Sequence, residues 1–458
     1  MAKKLFDFVG GVNKIALGRV LLTVFCLVFL ITPSVVASPS DSQQKLKANI
    51  QKIIATKLRQ TDVSVQVASI EGNKTDILFE HNPHLLLNPA SNVKLVTSGA
   101  SLALLGPDHS FPTRFYSAEE PQKGWVDHLW IKGFGDPLLI NEEISKIVNH
   151  LALGGLRGVQ KGIFVDTGFF DRNSKMTYFS EATNRLYTLF TGALSFNFNR
   201  RAKWMAMKNS RHRSRFAKQE EAYGDEPGLA ELGSEKSWDP GFATGQAFKE
   251  QLSAAGIPVV GSVRLATVPD TAVLLYEHRS PPLSEIVRAL NKFSNNFIAE
   301  QLVKTMGAVQ FGPPGSTTSG IRVMEDYLSS LGIPPKTYAL ENGSGLSLGN
   351  RLSAAQFVQV LSQAYRDPHY ASSYLSSLSI AGIDGTMRRR YKSSPLRSQV
   401  LGKTGSLAYV HCLSGYLIAN EHPFAFSILV NNYDGSSGAI QQAEEKILRE
   451  VNSYGRSL

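Results

Sequence analysis

The stretch between Pro89 and Gly106-Pro107 constrains this chain most, because it is apolar almost all round and carries one charge, Lys94. Pro89 suits the opening of a helix and Gly106-Pro107 its end. A helix with no polar face is buried, so the fold must be built around this one. Ser91 and Lys94 stand at its mouth.

At 458 residues the chain exceeds the roughly 250–300 residues at which one hydrophobic core stops growing, so more than one domain is expected. Ahead of the buried helix, Leu46, Ile50, Ile53, Ile54 and Leu58 recur at helical spacing. Residues 63–69 alternate, Gly72-Asn73 turns, and 76–80 resumes the alternation as a hairpin. From about 111 to 265 the chain changes character, with short strand-like pieces at 129–131, 162–165 and 262–266. Helices are expected again at 283–306, 318–331 and 353–364, strands at 409–418 and 424–430, and a closing helix after 439. These patterns give an α+β fold in two sequence segments, 38–110 and 266–458, interrupted by a mostly β inserted region over 111–265.

The first residues follow another logic. Lys3, Lys4, Lys14 and Arg19 precede the apolar run from Val20 to Ile31, with small residues at Val35 and Ala37. This is the pattern of a secretory signal over residues 1–37, cleaved after Ala37, which places the mature protein in the periplasm or outside the cell. The run is short of the about 20 residues that span a bilayer, although 33–37 would lengthen it into an uncleaved anchor. Membrane contact is otherwise at most peripheral. Cys26 falls inside the signal, which leaves Cys412 alone and no internal disulfide in the mature chain.

Without residues 1–37 the formal charge falls from +10 to about +7, since four basic groups and one acid leave. The basic stretch from Asn199 to Lys218 reads as an exposed, solvated segment, because export removes any nucleic acid it would bind. The ten histidines are scattered, and His81 and His84 have no matching carboxylate or thiol pair, so no metal is expected.

The chemistry is carried by three short motifs. Ser91-Asn-Val-Lys94 sets a hydroxyl and an amine one helical turn apart. Serine becomes a useful nucleophile when a base takes its proton, and a lysine acts as that base when neutral, a state that burial and a neighbouring cation promote. Ser42-Gln-Gln-Lys45 has the same spacing on an amphipathic surface helix, so context separates the two. Ser294-Asn-Asn296 offers a hydroxyl for proton relay and an amide for Lys94 and substrate, or a plain helix N-cap. Lys403-Thr-Gly405 precedes a strand-like run; on an edge strand its lysine and threonine would bind a terminal carboxylate, and Gly405 would let a substrate backbone approach. Substrate would then add as an extra strand. The N–H of Ser91 and one near Ser406 or Leu407 would form the oxyanion hole.

In this order and context the three motifs point to penicilloyl-serine transferase chemistry. From about residue 45 onward the chain resembles the class C low-molecular-mass penicillin-binding proteins, the D-Ala-D-Ala carboxypeptidase/endopeptidases. Further phrases support the likeness: 133–138, 165–171, 278–283, 294–300, 342–347 and 381–386. The resemblance implies a β-lactamase/penicillin-binding-protein-like transpeptidase fold with no cofactor. Ser91 would be the nucleophile, Lys94 the base, Ser294 and Asn296 relay and binding groups, and Lys403, Thr404 and Gly405 the carboxylate-binding strand. It further implies peptidoglycan stem peptides as substrate, β-lactam antibiotics as covalent inhibitors, and Asp166 as a reader of the diamino acid's amine, against a turn residue at a strand end. Leu348 departs from the family, where arginine commonly follows Gly-Leu-Ser. The rival functions are a β-lactamase and a non-catalytic cell-wall-binding protein.

Overall fold

The computed structural model describes residues 41–173, 175–180, 185–199 and 239–458. The expected signal and residues 200–218 of the basic stretch lie outside the described residues. Residues 45–458 form one compact unit; of residues 1–44, which group separately, only 41–44 are described.

Helix α1 (Asp41–Lys57) leads into the hairpin β1 (Asp62–Glu71) and β2 (Lys74–His81). Helix α2 (Val93–Leu105) is buried from Val93 through Leu102, as its composition demands. Then come β3 (Pro112–Ser117), β4 (Trp125–Gly133), α3 (Asn141–Leu153), β5 (Gly158–Asp166), the pair β6 (Lys175–Ser180) and β7 (Arg185–Phe190), α4 (Pro240–Ala254), β8 (Ser262–Leu265) and β9 (Val273–Arg279). The chain continues through α5 (Leu283–Phe293), α6 (Asn296–Phe311), α7 (Thr317–Ser330), α8 (Ala354–Arg366), α9 (Ala371–Ser377), β10 (Ser379–Ile380), β11 (Val400–Leu407), β12 (Val410–Ala419), β13 (His422–Asn431) and α10 (Ser437–Gly455).

Strands from both ends of the sequence build one antiparallel sheet, in the order β10-β11-β12-β13-β1-β2. Its two faces carry different cores. Val63, Val65, Val67, Phe426 and Ile428 pack with Leu46, Ile50 and Ile54 of α1 and Ile440, Ile447 and Val451 of α10. The opposite face, with Ala68, Cys412, Tyr416 and Leu429, meets α2 and the helices between Leu283 and Leu378. Covered on both sides, β12 is buried at nine of its ten residues, which explains why its sequence does not alternate strictly between apolar and polar.

Two expectations need correction. The helix expected over 283–306 is two helices, broken at Ser294, which adopts a left-handed conformation (φ 55°, ψ 38°) as it caps α5. Asn295 then starts α6 by accepting the Ile298 N–H with its side chain. No glycine or proline announces the break.

The region between the two halves forms a second sheet, ordered β8-β5-β4-β3-β9, with β4-β5 and β5-β8 parallel. Parallel pairs need crossover connections, and α3 and α4 supply them, burying Ile144, Ile147, Val148 and Leu151 and Ala247, Phe248 and Leu252 against the sheet. This region is mostly β, as expected, with two helices added as crossovers; its expected end at residue 265 needs moving. Its last strand, β9, extends past residue 265 to Arg279.

Candidate active site

Ser91 sits in a single 3-10 turn, Ala90–Asn92, that feeds directly into α2. The turn is pinned from behind: Asn88 N–H donates to Asn431 Oδ1 at 2.8 Å, and Asn88 Oδ1 accepts the Ala90 N–H at 2.8 Å. Ala90 has a positive φ of 46° and is fully buried. Across residues 87–102 every position is buried except Ser91, which is partly exposed. The segment therefore presents one residue, a hydroxyl, to solvent.

Lys94 lies directly beneath, with no exposed surface. Its Nζ donates to Ser91 Oγ at 2.9 Å, to Asn296 Oδ1 at 2.5 Å and to the Ser344 carbonyl at 2.6 Å. Asn296 reaches it because α6 begins there, two residues past the break at Ser294. The expected surface pair, Ser42 and Lys45, is exposed on α1.

A second network lies alongside. Lys403, also fully buried, donates to Ser294 Oγ at 2.8 Å and to the Thr404 carbonyl at 2.8 Å. Thr404 Oγ1 donates to Thr386 Oγ1 at 2.9 Å. The left-handed turn at Ser294 brings its hydroxyl to Lys403, so the break that the periodicity missed joins the second motif to the third. β10 pairs with β11 at Leu401 and Gly402 alone, which leaves the edge from Lys403 onward without a strand among the described residues. Ser406 is open to solvent along that edge, and Thr404 and Leu407 are partly so.

Gly405 has a packing role as well. A Cβ there would lie 2.7 Å from the Pro89 carbonyl and 3.2 Å from Ala90 Cβ, so glycine lets β11 press against the nucleophile's turn. Asn92 Nδ2, donating to Ser414 Oγ at 2.7 Å, ties the same turn to β12.

Asp166 stands apart from these networks at the end of β5. Its Oδ1 accepts the Gly168 N–H at 2.9 Å, its Oδ2 accepts the Val268 N–H at 3.1 Å, and Lys132 Nζ lies 3.1 Å from Oδ2. Leu348 is 57% exposed, and its carbonyl accepts from Asn88 Nδ2 at 3.2 Å. Among the described residues no cluster of three or more histidines, cysteines or carboxylates is placed to hold a metal ion.

Three contributors escaped the motif reading. Ser344 acts through its backbone carbonyl, which has no side-chain signature. Thr386 lies in the 381–386 phrase. Glu300 lies one turn beyond Asn296 on α6 and is fully buried, accepting the Ser344 N–H with Oε1 at 2.8 Å. The helical spacing of Asn296 and Glu300 was the available signal.

The fold is that of the penicillin-binding proteins: the crystal structure of penicillin binding protein 4 (dacB) from Haemophilus influenzae matches with a TM-score of 0.70 at 20% identity, over 88% of this chain and 99% of that one. The chain matches the D-Ala-D-Ala carboxypeptidase 3 (S13) family over residues 46–191 and 231–451, and it belongs to that family. It is 31% identical over 409 residues to the D-alanyl-D-alanine carboxypeptidase of Actinomadura sp. (strain R39), covering 78% of this chain and 76% of the relative. With the D-alanyl-D-alanine carboxypeptidase DacB of Haemophilus influenzae it shares 24% identity over 440 residues, 83% of this chain and 90% of that one.

Proposed function

We propose that this chain is an exported serine DD-peptidase that hydrolyses D-Ala-D-Ala termini and D-Ala cross-links of peptidoglycan through an acyl-enzyme on Ser91, and that β-lactams inhibit it. One observation carries this reading. The amine of a fully buried lysine lies 2.9 Å from the hydroxyl of the single solvent-reachable residue in its segment. The relatives named as D-alanyl-D-alanine carboxypeptidases support the substrate class.

Substrate lies along the free edge of β11, its terminal carboxylate against Thr404 and the charge of Lys403. Ser91 Oγ attacks the D-Ala carbonyl while Lys94 takes its proton. The N–H groups of Ser91 and of a residue at Ser406 or Leu407 hold the oxyanion. The C–N bond then breaks, and the leaving amine takes a proton relayed through Ser294. Water attacks the ester in the second half-reaction, releasing the shortened peptide and restoring the Ser91 hydroxyl. Export rests on the N-terminal pattern; among the described residues no helix is long and apolar enough to cross a membrane.

Mass spectrometry of products from defined muropeptides tests this reading. Pentapeptide monomers should lose one alanine and D-Ala-linked dimers should split. If both substrates stay intact with enzyme that penicillin still labels, the peptidase reading falls and a penicillin-recognising protein of other purpose remains.

Asp166 enters as support for the end of β5. Its carboxylate is buried and already holds two N–H groups and Lys132, which makes it a poor site for a further amine. Asp166→Ala should cost about 1–3 kcal/mol of stability, the penalty for stranding buried hydrogen-bond partners. Acylation by penicillin and hydrolysis of peptide should both persist per folded molecule. A loss confined to amine-bearing peptide would instead make Asp166 a reader of the diamino acid.

A further inference from the structure

A buried carboxylate is expensive unless it is paired and hydrogen-bonded, yet the network of Ser91, Lys94 and Asn296 does not itself require Glu300. Burial, the largest effect, holds the Glu300 carboxyl above the usual carboxylate range, against the opposing pull of hydrogen bonds from Ser344 and the Gly343 backbone and of the charge of Lys94. Lys94 is the charged side chain acting on it, from α2; the 342–347 loop presents the N–H groups of Gly343 and Ser344 and the Ser344 hydroxyl.

Ser344 is the link between the two. Its N–H donates to Glu300 Oε1 at 2.8 Å. Its carbonyl accepts from Lys94 Nζ at 2.6 Å and lies 3.5 Å from Ser91 Oγ. The loop has little room elsewhere: Gly345 has φ 82°, and a Cβ on it would sit 1.9 Å from the Ala90 carbonyl. Asn296 and Glu300, four residues apart on one helix, thus bracket the amine, one directly and one through a peptide unit.

We propose that Glu300 is a positioning residue for Lys94: through Ser344 it fixes the carbonyl that holds the amine against Ser91, and its charge supports the ammonium that Lys94 becomes on taking the serine proton. This rests on Lys94 being the base of the proposed function. Removing the carboxylate charge favours the neutral amine, so the acidic limb of the acylation profile moves to lower pH. Shortening the side chain instead loosens Ser344, which lowers the plateau by about tenfold to a hundredfold, the scale of a positioning loss.

The test is the pseudo-first-order rate of acylation by excess benzylpenicillin across pH, a rate constant that does not depend on the fraction of enzyme folded. Glu300→Gln keeps an oxygen to accept the Ser344 N–H and loses only the charge, so its plateau should change little while the limb shifts to lower pH. Glu300→Asp keeps the charge but is one methylene too short for Ser344, so its plateau should fall while the limb stays. Wild-type rates in both variants, or an unmoved limb in Glu300→Gln, overturn the proposal. Ser91→Ala run in parallel separates the two readings. If it remains unlabelled while the Glu300 variants behave as wild type, only this proposal fails; if it is labelled, the proposed function fails.

Discussion

Benzylpenicillin should leave one covalent adduct, on Ser91, and Ser91→Ala should carry none. Among residues 87–102 Ser91 alone reaches solvent, and its hydroxyl is already hydrogen-bonded to a buried amine. Ser344 is buried. Ser294 is partly exposed and its Oγ accepts from the buried Lys403, so it is the rival nucleophile that the mapping must exclude; it lies at a helix break and not at the mouth of the buried helix α2. Loss of the nucleophile from such a unit costs on the order of a thousandfold to a millionfold. Intact-mass measurement followed by peptide mapping reads the result directly, and an adduct on Ser42, Ser294 or Ser406 would displace Ser91 from its role.

Lys94→Ala should be nearly as damaging, with an acylation rate reduced by at least about a thousandfold. The substitution removes the base and leaves Asn296 Oδ1 and the Ser344 carbonyl without the donor they now share. Each stranded buried acceptor costs about 1–3 kcal/mol, so Tm should fall as well, and rates must be compared on folded protein. Because the two residues act as a unit, Ser91→Ala and Lys94→Ala combined should be no worse than Ser91→Ala alone. A Lys94→Ala variant that acylates within tenfold of wild type would assign the proton transfer elsewhere.

Much of the site is legible in the sequence because its chemistry needs particular side chains at short spacings. Ser91 and Lys94 are one turn apart on a helix whose burial follows from composition, and Lys403 and Thr404 precede an unmistakably strand-like run. The fold's two-part core is legible for the same reason, since periodicity survives wherever one face of an element is buried. What fails is instructive. The break at Ser294 carries no glycine or proline; its one mark in the sequence is the helix N-cap reading of Ser294-Asn-Asn296, which Asn295 fulfils, while the left-handed turn of Ser294 has no local signal. The crossover helix α3 does show apolar residues at helical spacing, Ile144, Ile147, Val148 and Leu151, but the short strands around it draw attention to β structure. Gly405 shows a right residue with an incomplete reason: its missing side chain makes room for the nucleophile's turn, a neighbour that linear spacing does not reveal. Ser344 contributes only backbone, which no pattern of side chains reports.

The register of the six-stranded sheet sets an order on the molecule's assembly. Asp62 pairs with Asn431 and Ser69 with Phe424, so β1 lies between its own hairpin partner and the last strand of the chain. Loop-closure entropy must be overcome before contacts this distant in sequence repay it. As the polypeptide leaves the ribosome, β1 and β2 have no third strand to join until β13 emerges, whereas β4, α3 and β5 can associate long before. The turn that holds Ser91 is pinned by Asn431, at the end of that same final strand. Nucleophile geometry therefore depends on contacts that span the chain, and a C-terminally shortened chain without β13 holds a hydroxyl without the frame that makes it reactive.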